Sequence, residues 1–345
     1  MASQLLELPP APASGAGPVP VRRPHSIRRV SAIDMSWPAG ADGGMQIAAS
    51  AYDLRIDGEG TQERFAEAQV TGEADTARTI HHLSINGEDG GIARKLTGAR
   101  GGRIRATLRE AIADEAGRAS PTWLLLDDLA GATIVGNWAL LCWSEDREKL
   151  AKRFREEGLG GRGGDMHGVC AGFRPGTTAL GPDGGVAMDK QSAAVVSDLA
   201  NPDDPDGWPF PARPSVPTTR RARHLDIWVE GDRLILLAGF QDSANMPDGT
   251  LVAVHEYRVR LAADRTSHKI EEIHVTPHVL PHRECPAAVG HVQALVGTRL
   301  TDLPELVPQR LGGIAGCTHL NDVLRGFGAI PSLSEQLSGE FAMRG

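Results

Sequence analysis

With 345 residues, 41% of them apolar, the chain can bury one large core or two of ordinary size. A net charge of −8 argues against nucleic acid as the main partner, because phosphate binding needs a basic face. No apolar run approaches the ~20 residues that cross a bilayer, so no membrane partner is expected.

Residues 1–25 are rich in Pro, Ala and Gly and lack a basic region followed by an apolar one. They read as a disordered lead-in, not a secretory signal. Cys142, Cys170, Cys285 and Cys317 are widely spaced with no CxxC pair, which fits reduced thiols in a cytoplasmic protein.

The next segment, RRVSAIDM (28–35), returns as RRARHLDI (220–227). Arg28 and Arg29 fall on Arg220 and Arg221, Asp34 falls on Asp226, and Trp37 and Trp228 follow. MQIAASAYDL, ERFAEAQVTG and RTIHHLSIN come after the first block; RLILLAGFQD, LVAVHEYRVRL and KIEEIHVTP come after the second. Each is short, alternating or β-branched, and bounded by Gly, Asp or Pro, which predicts a strand. Helical patterns then follow in both copies. GGRIRATLREAIADEAG places Ile104, Leu108 and Ile112 on one face and ends at Gly117; CPAAVGHVQALVG does so with Val289, Val292 and Val296. SPTWLLLDDLAG (120–131) answers GCTHLNDVLRGFG, with Thr122 on Thr318 and Trp123 on His319. The expected fold is α+β: internally duplicated antiparallel β-sheet units, each followed by two helices. The expected divisions are a first α+β repeat (26–157), a Gly/Pro-rich loop lining the site (158–217) and a second repeat (218–345).

Several groups of residues can carry chemistry. The loop 158–178 packs Asp165, His167, Cys170 and Arg174 among glycines, and such loops let a backbone approach a ligand; it can also be a plain connector. On the strand LVAVHEYRVRL, His255 and Tyr257 share a face, as an acid–base pair or as a buried hydrogen-bonded one. Asp242, matched by Asp53, is a general base if shielded from water and otherwise an Asx turn. Asp34 and Asp226, beside Arg pairs, read as structural ion-pair residues. His274, His278, His282 and Cys285 look like a metal tract, but Pro277 and Pro281 exclude a single helical face and no zinc spacing is matched. No bound metal is therefore expected. Thr318 is expected to cap its helix, Cys317 to be a small core side chain, and His319 to be neutral beside the positive helix end. Only the second copy carries that Cys and His; the first has Pro121 and Trp123.

The stretch HKIEEIHVTPHVLPHRECPAAVGHVQALVGTRL…LGGIAGCTHLNDVLR resembles a bacterial domain family of unknown function that ends in a Gly-Cys-Thr-His-Leu signature, over roughly residues 220 to 326. That resemblance brings no established catalytic residues. Its setting is similar to that of lignin-dimer formaldehyde lyases from sphingomonad-type bacteria. No dinucleotide fingerprint, phosphate loop, haem motif or nucleophile elbow is present, so the chemistry expected needs acids, bases and shape, and no cofactor. The expected partner is an aromatic small molecule; a homodimer is compatible with the sequence. In a formaldehyde-releasing carbon–carbon lyase, His167 or Asp242 would be the base, and Arg174, His255 or Tyr257 would steady the leaving phenolate. The alternatives are a binding protein for an apolar aromatic ligand and a metal-dependent hydrolase.

Overall fold

The protein is described by a computed structural model covering residues 9–99, 102–112, 115–156 and 165–338. Part of the expected loop, residues 158–164, and the end of the second repeat, residues 339–345, lie outside the described residues. Every strand expected from alternation is present: β1 (Ser26–Ser36), β2 (Met45–Ile56), β3 (Gln62–Ala74) and β4 (Ile80–Ile85) in the first half. After the short β5 (Ala194–Val196), the second half supplies β6 (Thr218–Glu230), β7 (Arg233–Asn245), β8 (Leu251–Asp264) and β9 (Ile270–Val279). Each half is a four-strand antiparallel meander. The two join through β1 and β6, so the halves form one nine-stranded sheet in the order β4-β3-β2-β1-β6-β7-β8, with β9 and β5 both pairing along β8.

The register shows the duplication. Across the seam Arg28 faces Asp226, Arg220 faces Asp34, and Ser31 faces Arg223. The offset that carries Arg28 to Arg220 also carries Asp34 to Asp226 and Ser31 to Arg223, so the seam is a quasi-two-fold axis through Ser31 and Arg223. An extra residue interrupts β3 next to Asp53 and, at the matching place, β8 next to Asp242. The expected ion pairs are present: Arg28 Nε donates to Asp226 at 2.5 Å and Arg220 Nε to Asp34 at 2.6 Å.

The first half continues with α1 (Gly91–Leu96), α2 (Gly102–Ala111), α3 (Glu115–Arg118), α4 (Pro121–Val135), α5 (Trp138–Trp143) and α6 (Arg147–Glu156). The second continues with α7 (Ala287–Gly290), α8 (Leu303–Arg310), α9 (Thr318–Gly326) and α10 (Ile330–Glu335). More helices therefore follow each meander than the expected two. The segment expected as one helix around Val289 breaks into α7 and a 3-10 turn, His291–Leu295, leaving Val296 exposed. Together α4 and α5 (Pro121–Trp143) are long and apolar enough to cross a membrane, contrary to the reading of the sequence. The segment is mostly buried, and Leu125, Leu126 and Leu129 pack into the core beneath it.

The helices cover one face of the sheet. Its core divides into two apolar clusters, one per half, with charged side chains between them. The opposite face is covered by residues 9–25 and the segment before β6, around Val30, Tyr52, Trp208 and Ala222. The lead-in is thus ordered from residue 9. Ser14 N–H donates to the His278 carbonyl, Val19 is fully buried, and Arg22 donates to the buried Asp204 through its backbone N–H, Nε and Nη2. A buried apolar residue and a desolvated ion pair outweigh what Pro/Ala/Gly composition predicts.

Candidate active site

On the helix-covered face, the first strand of each half carries an Arg that grips an Asp on the second. Arg29 donates to Asp53 through Nε and Nη2, both at 2.6 Å. Arg221 does the same to Asp242 at 2.8 and 2.9 Å. Asp242 has no solvent exposure, and the two-point contact gives each of its buried oxygens a charged donor.

The halves diverge one strand further out. Asp53 faces Ala66 and Ala51 faces Ala68; in the second half Asp242 faces His255 and Phe240 faces Tyr257. From above, α9 adds His319, which corresponds to Trp123. The His255 and His319 rings stack with centroids 3.7 Å apart and planes 22° apart. His255 Nδ1 lies 3.7 Å and His319 Nε2 3.6 Å from the same Asp242 oxygen, and neither nitrogen has a hydrogen-bond partner. Burial pushes both imidazoles down, His319 to about 3 and His255 well below the usual range, so both are neutral near pH 7. Burial, more than the helix end, is the cause for His319. Thr318 Oγ1 and Cys317 Sγ lie 3.4 and 3.9 Å from His319 Nδ1; where either donates to it, the ring proton is on Nε2, facing the carboxylate. An Nδ1–H on His255 aimed at Asp242 leaves Nε2 as the basic nitrogen.

His255 lines a half-open slot of about 210 Å³ whose other walls are largely apolar, including Trp138, Leu141, Phe154, Met166 and Val254. An apolar cavity of about 150 Å³ holds a benzene ring, so the slot has room for one substituted aromatic ring. Asn137 and Gln191 are its amide side chains.

Behind the imidazoles, Arg221 Nη1 donates to Asp322 at 2.8 Å, and Asp322 also receives Arg105 at 2.8 Å and Arg325 at 2.9 Å. Gly131 of α4 makes this approach feasible. A Cβ there would sit 2.2 Å from Asp322 Oδ2 and 2.3 Å from Arg221 Nη1. The glycine of GCTHL has a similar cause, since a Cβ on Gly316 would meet the Leu311 carbonyl oxygen at 1.9 Å.

Of the side chains singled out in the sequence, the structure brings Asp242 and His255 together. Tyr257 shares their face, but its hydroxyl is buried without a well-aligned partner beside Cys317, near Cys285 and Cys170. Burial raises all three of these thiols, Cys170 to about 12, so they are inert protonated side chains at neutral pH. His167 is exposed, its Nδ1 2.7 Å from Asp165, and Arg174 is exposed as well; neither joins the cluster. Their segment still contributes, because Met166 forms part of the slot. The histidine tract does not converge. His274 and His278 lie on β9, while His282 packs edge-on against Phe173. Among the described residues, the grouping with metal-ligand proximity is Asp242, His255 and His319, whose ligand atoms lie within 4.8 Å of one another. Nearly parallel rings direct their lone pairs side by side, so a shared ion requires one ring to turn. Thr318 is not the cap expected. Cys317 occupies the N-cap position without a side-chain bond, and Thr318 is the first helical residue. In the first half the cap is Ser120, which accepts from Trp123 N–H at 3.1 Å.

What sequence reading missed is His319 as a partner of Asp242, although its absence from the first copy was the available signal. Residues 219–331 match the family model described as "Protein of unknown function (DUF2889)". The match runs from β6 into α10 and contains Arg221, Asp242, His255 and His319; the first meander lies outside it. Neither the curated proteins nor the solved structures contain a match to the chain.

Proposed function

We propose that the protein is a cofactor-independent carbon–carbon lyase that releases formaldehyde from a lignin-derived aromatic dimer. One observation carries the reading: a neutral imidazole, His255, backed by a buried carboxylate, lines an otherwise largely apolar slot with room for an aromatic ring. One ring of the dimer occupies the slot and the other sits at its open side. His255 Nε2 takes the proton of a side-chain CH2OH, and the oxygen lone pair forms the C=O bond of formaldehyde as the C–C bond breaks. The released electron pair forms an alkene with the adjacent carbon, which expels its phenolate. The proton then passes from the imidazolium to the phenolate, so no redox partner is needed. Asp242, at 3.7 Å, stabilises the transient imidazolium, and the amide of Asn137, in the slot wall, donates to the phenolate.

The decisive experiment incubates the protein with dimers bearing a CH2OH group and measures free formaldehyde against alkene product. Equal yields are expected, with the rate reduced ~100- to 10,000-fold in His255→Ala. Saturable dimer binding without turnover would instead establish a binding protein. A second reading, a metal-dependent hydrolase, is favoured by the proximity of Asp242, His255 and His319. Stoichiometric zinc in the purified protein, with hydrolysis abolished by a chelator, would replace the lyase reading with that one.

A further inference from the structure

A larger cavity, about 480 Å³, opens between α2 and α4 on one side and α8 and α9 on the other. Arg29, Arg105, Arg109, Arg118, Arg325 and Trp123 contribute to its wall. Their charges do not all cancel. Arg29 is neutralised by Asp53, and Arg118 faces Glu305 at 3.3 Å. Arg105, Arg325 and Arg221 are matched by Asp127, Asp322 and Asp242 within one network. Arg109 is left over; it makes no hydrogen bond or ion pair among the described residues. Among the described residues, the wall thus carries one guanidinium, that of Arg109, without a carboxylate partner. Trp123, in the wall of the same cavity, is partly exposed, with Arg118 5.7 Å from its ring centre.

A single free guanidinium matches a monoanion, and its planar fork matches a carboxylate. The indole of Trp123, lining the same cavity, offers a flat apolar surface for the body of such a ligand. We infer that this cavity is a second small-molecule site, taking an organic monocarboxylate with an aromatic body: the carboxylate on Arg109, the ring against Trp123. The inference is independent of the lyase reading, because the slot at His255 lies at the other end of α4, around Ile134 and Val135. The two sites are connected all the same. Asp322, in the wall of the cavity, is bonded to Arg221, which holds Asp242.

Titration calorimetry of the full chain with benzoate, benzamide and inorganic phosphate tests this directly. Benzoate is expected to bind one per chain. Benzamide, of the same shape without charge, and phosphate, charged without a ring, are expected to be weaker by about tenfold or more, a difference of about 1.4 kcal/mol. Arg109→Ala, at an exposed position, should weaken benzoate by a similar factor, Trp123→Leu should weaken it too, and His255→Ala should leave it unchanged. Absence of saturable benzoate binding, equal affinity for benzamide or phosphate, or binding lost in His255→Ala and kept in Arg109→Ala would each overturn the assignment.

Discussion

The two halves of the sheet bury the same Arg–Asp pair at the same place beside the same bulge, yet only one surrounds it with groups able to move a proton. In the first half Asp53 faces alanine and lies in the half that carries Trp123; in the second, Asp242 is flanked by two imidazoles. What the halves share is therefore what the fold needs: an Arg that ties neighbouring strands together beneath the helices. What they do not share marks chemistry. A lone buried Arg–Asp pair is poor evidence for function, and the unperturbed copy within the same chain acts as its control.

The sharpest way to break the comparison is to neutralise both carboxylates separately. Asp53→Asn leaves the buried Arg29 without a carboxylate and should cost about 3–5 kcal/mol in denaturant unfolding, whereas Asp242→Asn leaves Arg221 its contact with Asp322 and should cost less. Only Asp242→Asn should also reduce turnover of the folded fraction, by ~100-fold or more, because only there does the carboxylate face an imidazole. Equal loss of turnover in both would mean that the pairs act on activity through the fold alone.

The next effect is acid sensitivity. His319 and His224 are pushed down to about 3 and about 4, and His255 well below its usual range, all chiefly by burial. Between those values and about 6.5 the unfolded chain binds protons that the folded chain refuses, so stability is full above about 6.5 and declines as pH falls. Melting temperature should therefore drop on acidification from neutrality, and His255→Ala, which restores the residue type of the first half, should flatten that decline. A profile as steep in His255→Ala as in the parent would show that this imidazole is not buried neutral.

The smallest effect concerns helix starts. Ser120→Ala removes a side-chain cap and should cost ~1 kcal/mol, whereas Thr318→Ala removes none and should cost much less. Matching losses would restore Thr318 as a capping residue.

Much of this was legible in the sequence because it follows from period two. The eight principal strands, the doubling, the structural ion pairs of Asp34 and Asp226, and the common face of His255 and Tyr257 all come from alternation and spacing. The remainder depends on what packs over the sheet. His319 reaches Asp242 only because the fold brings the start of α9 to β7, a contact between residues far apart in sequence. The slot draws walls from α5, α6, β8 and the segment around Met166, and no local pattern records such a meeting. The lead-in misled for a related reason: its composition is that of a linker, while its order rests on Val19 and Arg22 meeting distant partners.

The seam between β1 and β6 also bears on assembly. A fragment beginning at residue 218 would present β6 as an open edge, and two such edges could pair about the same axis, each Arg220 facing the other copy's Asp226. At the axis, Arg223 would then face Arg223, and like charges directly opposite one another destabilise a sheet. In the intact chain that place is taken by Ser31, opposite an Arg223 whose charge is answered from α4 by Asp128 at 2.8 Å. One small hydroxyl at the axis thus favours pairing of the two unlike halves within a chain over pairing of like halves between chains.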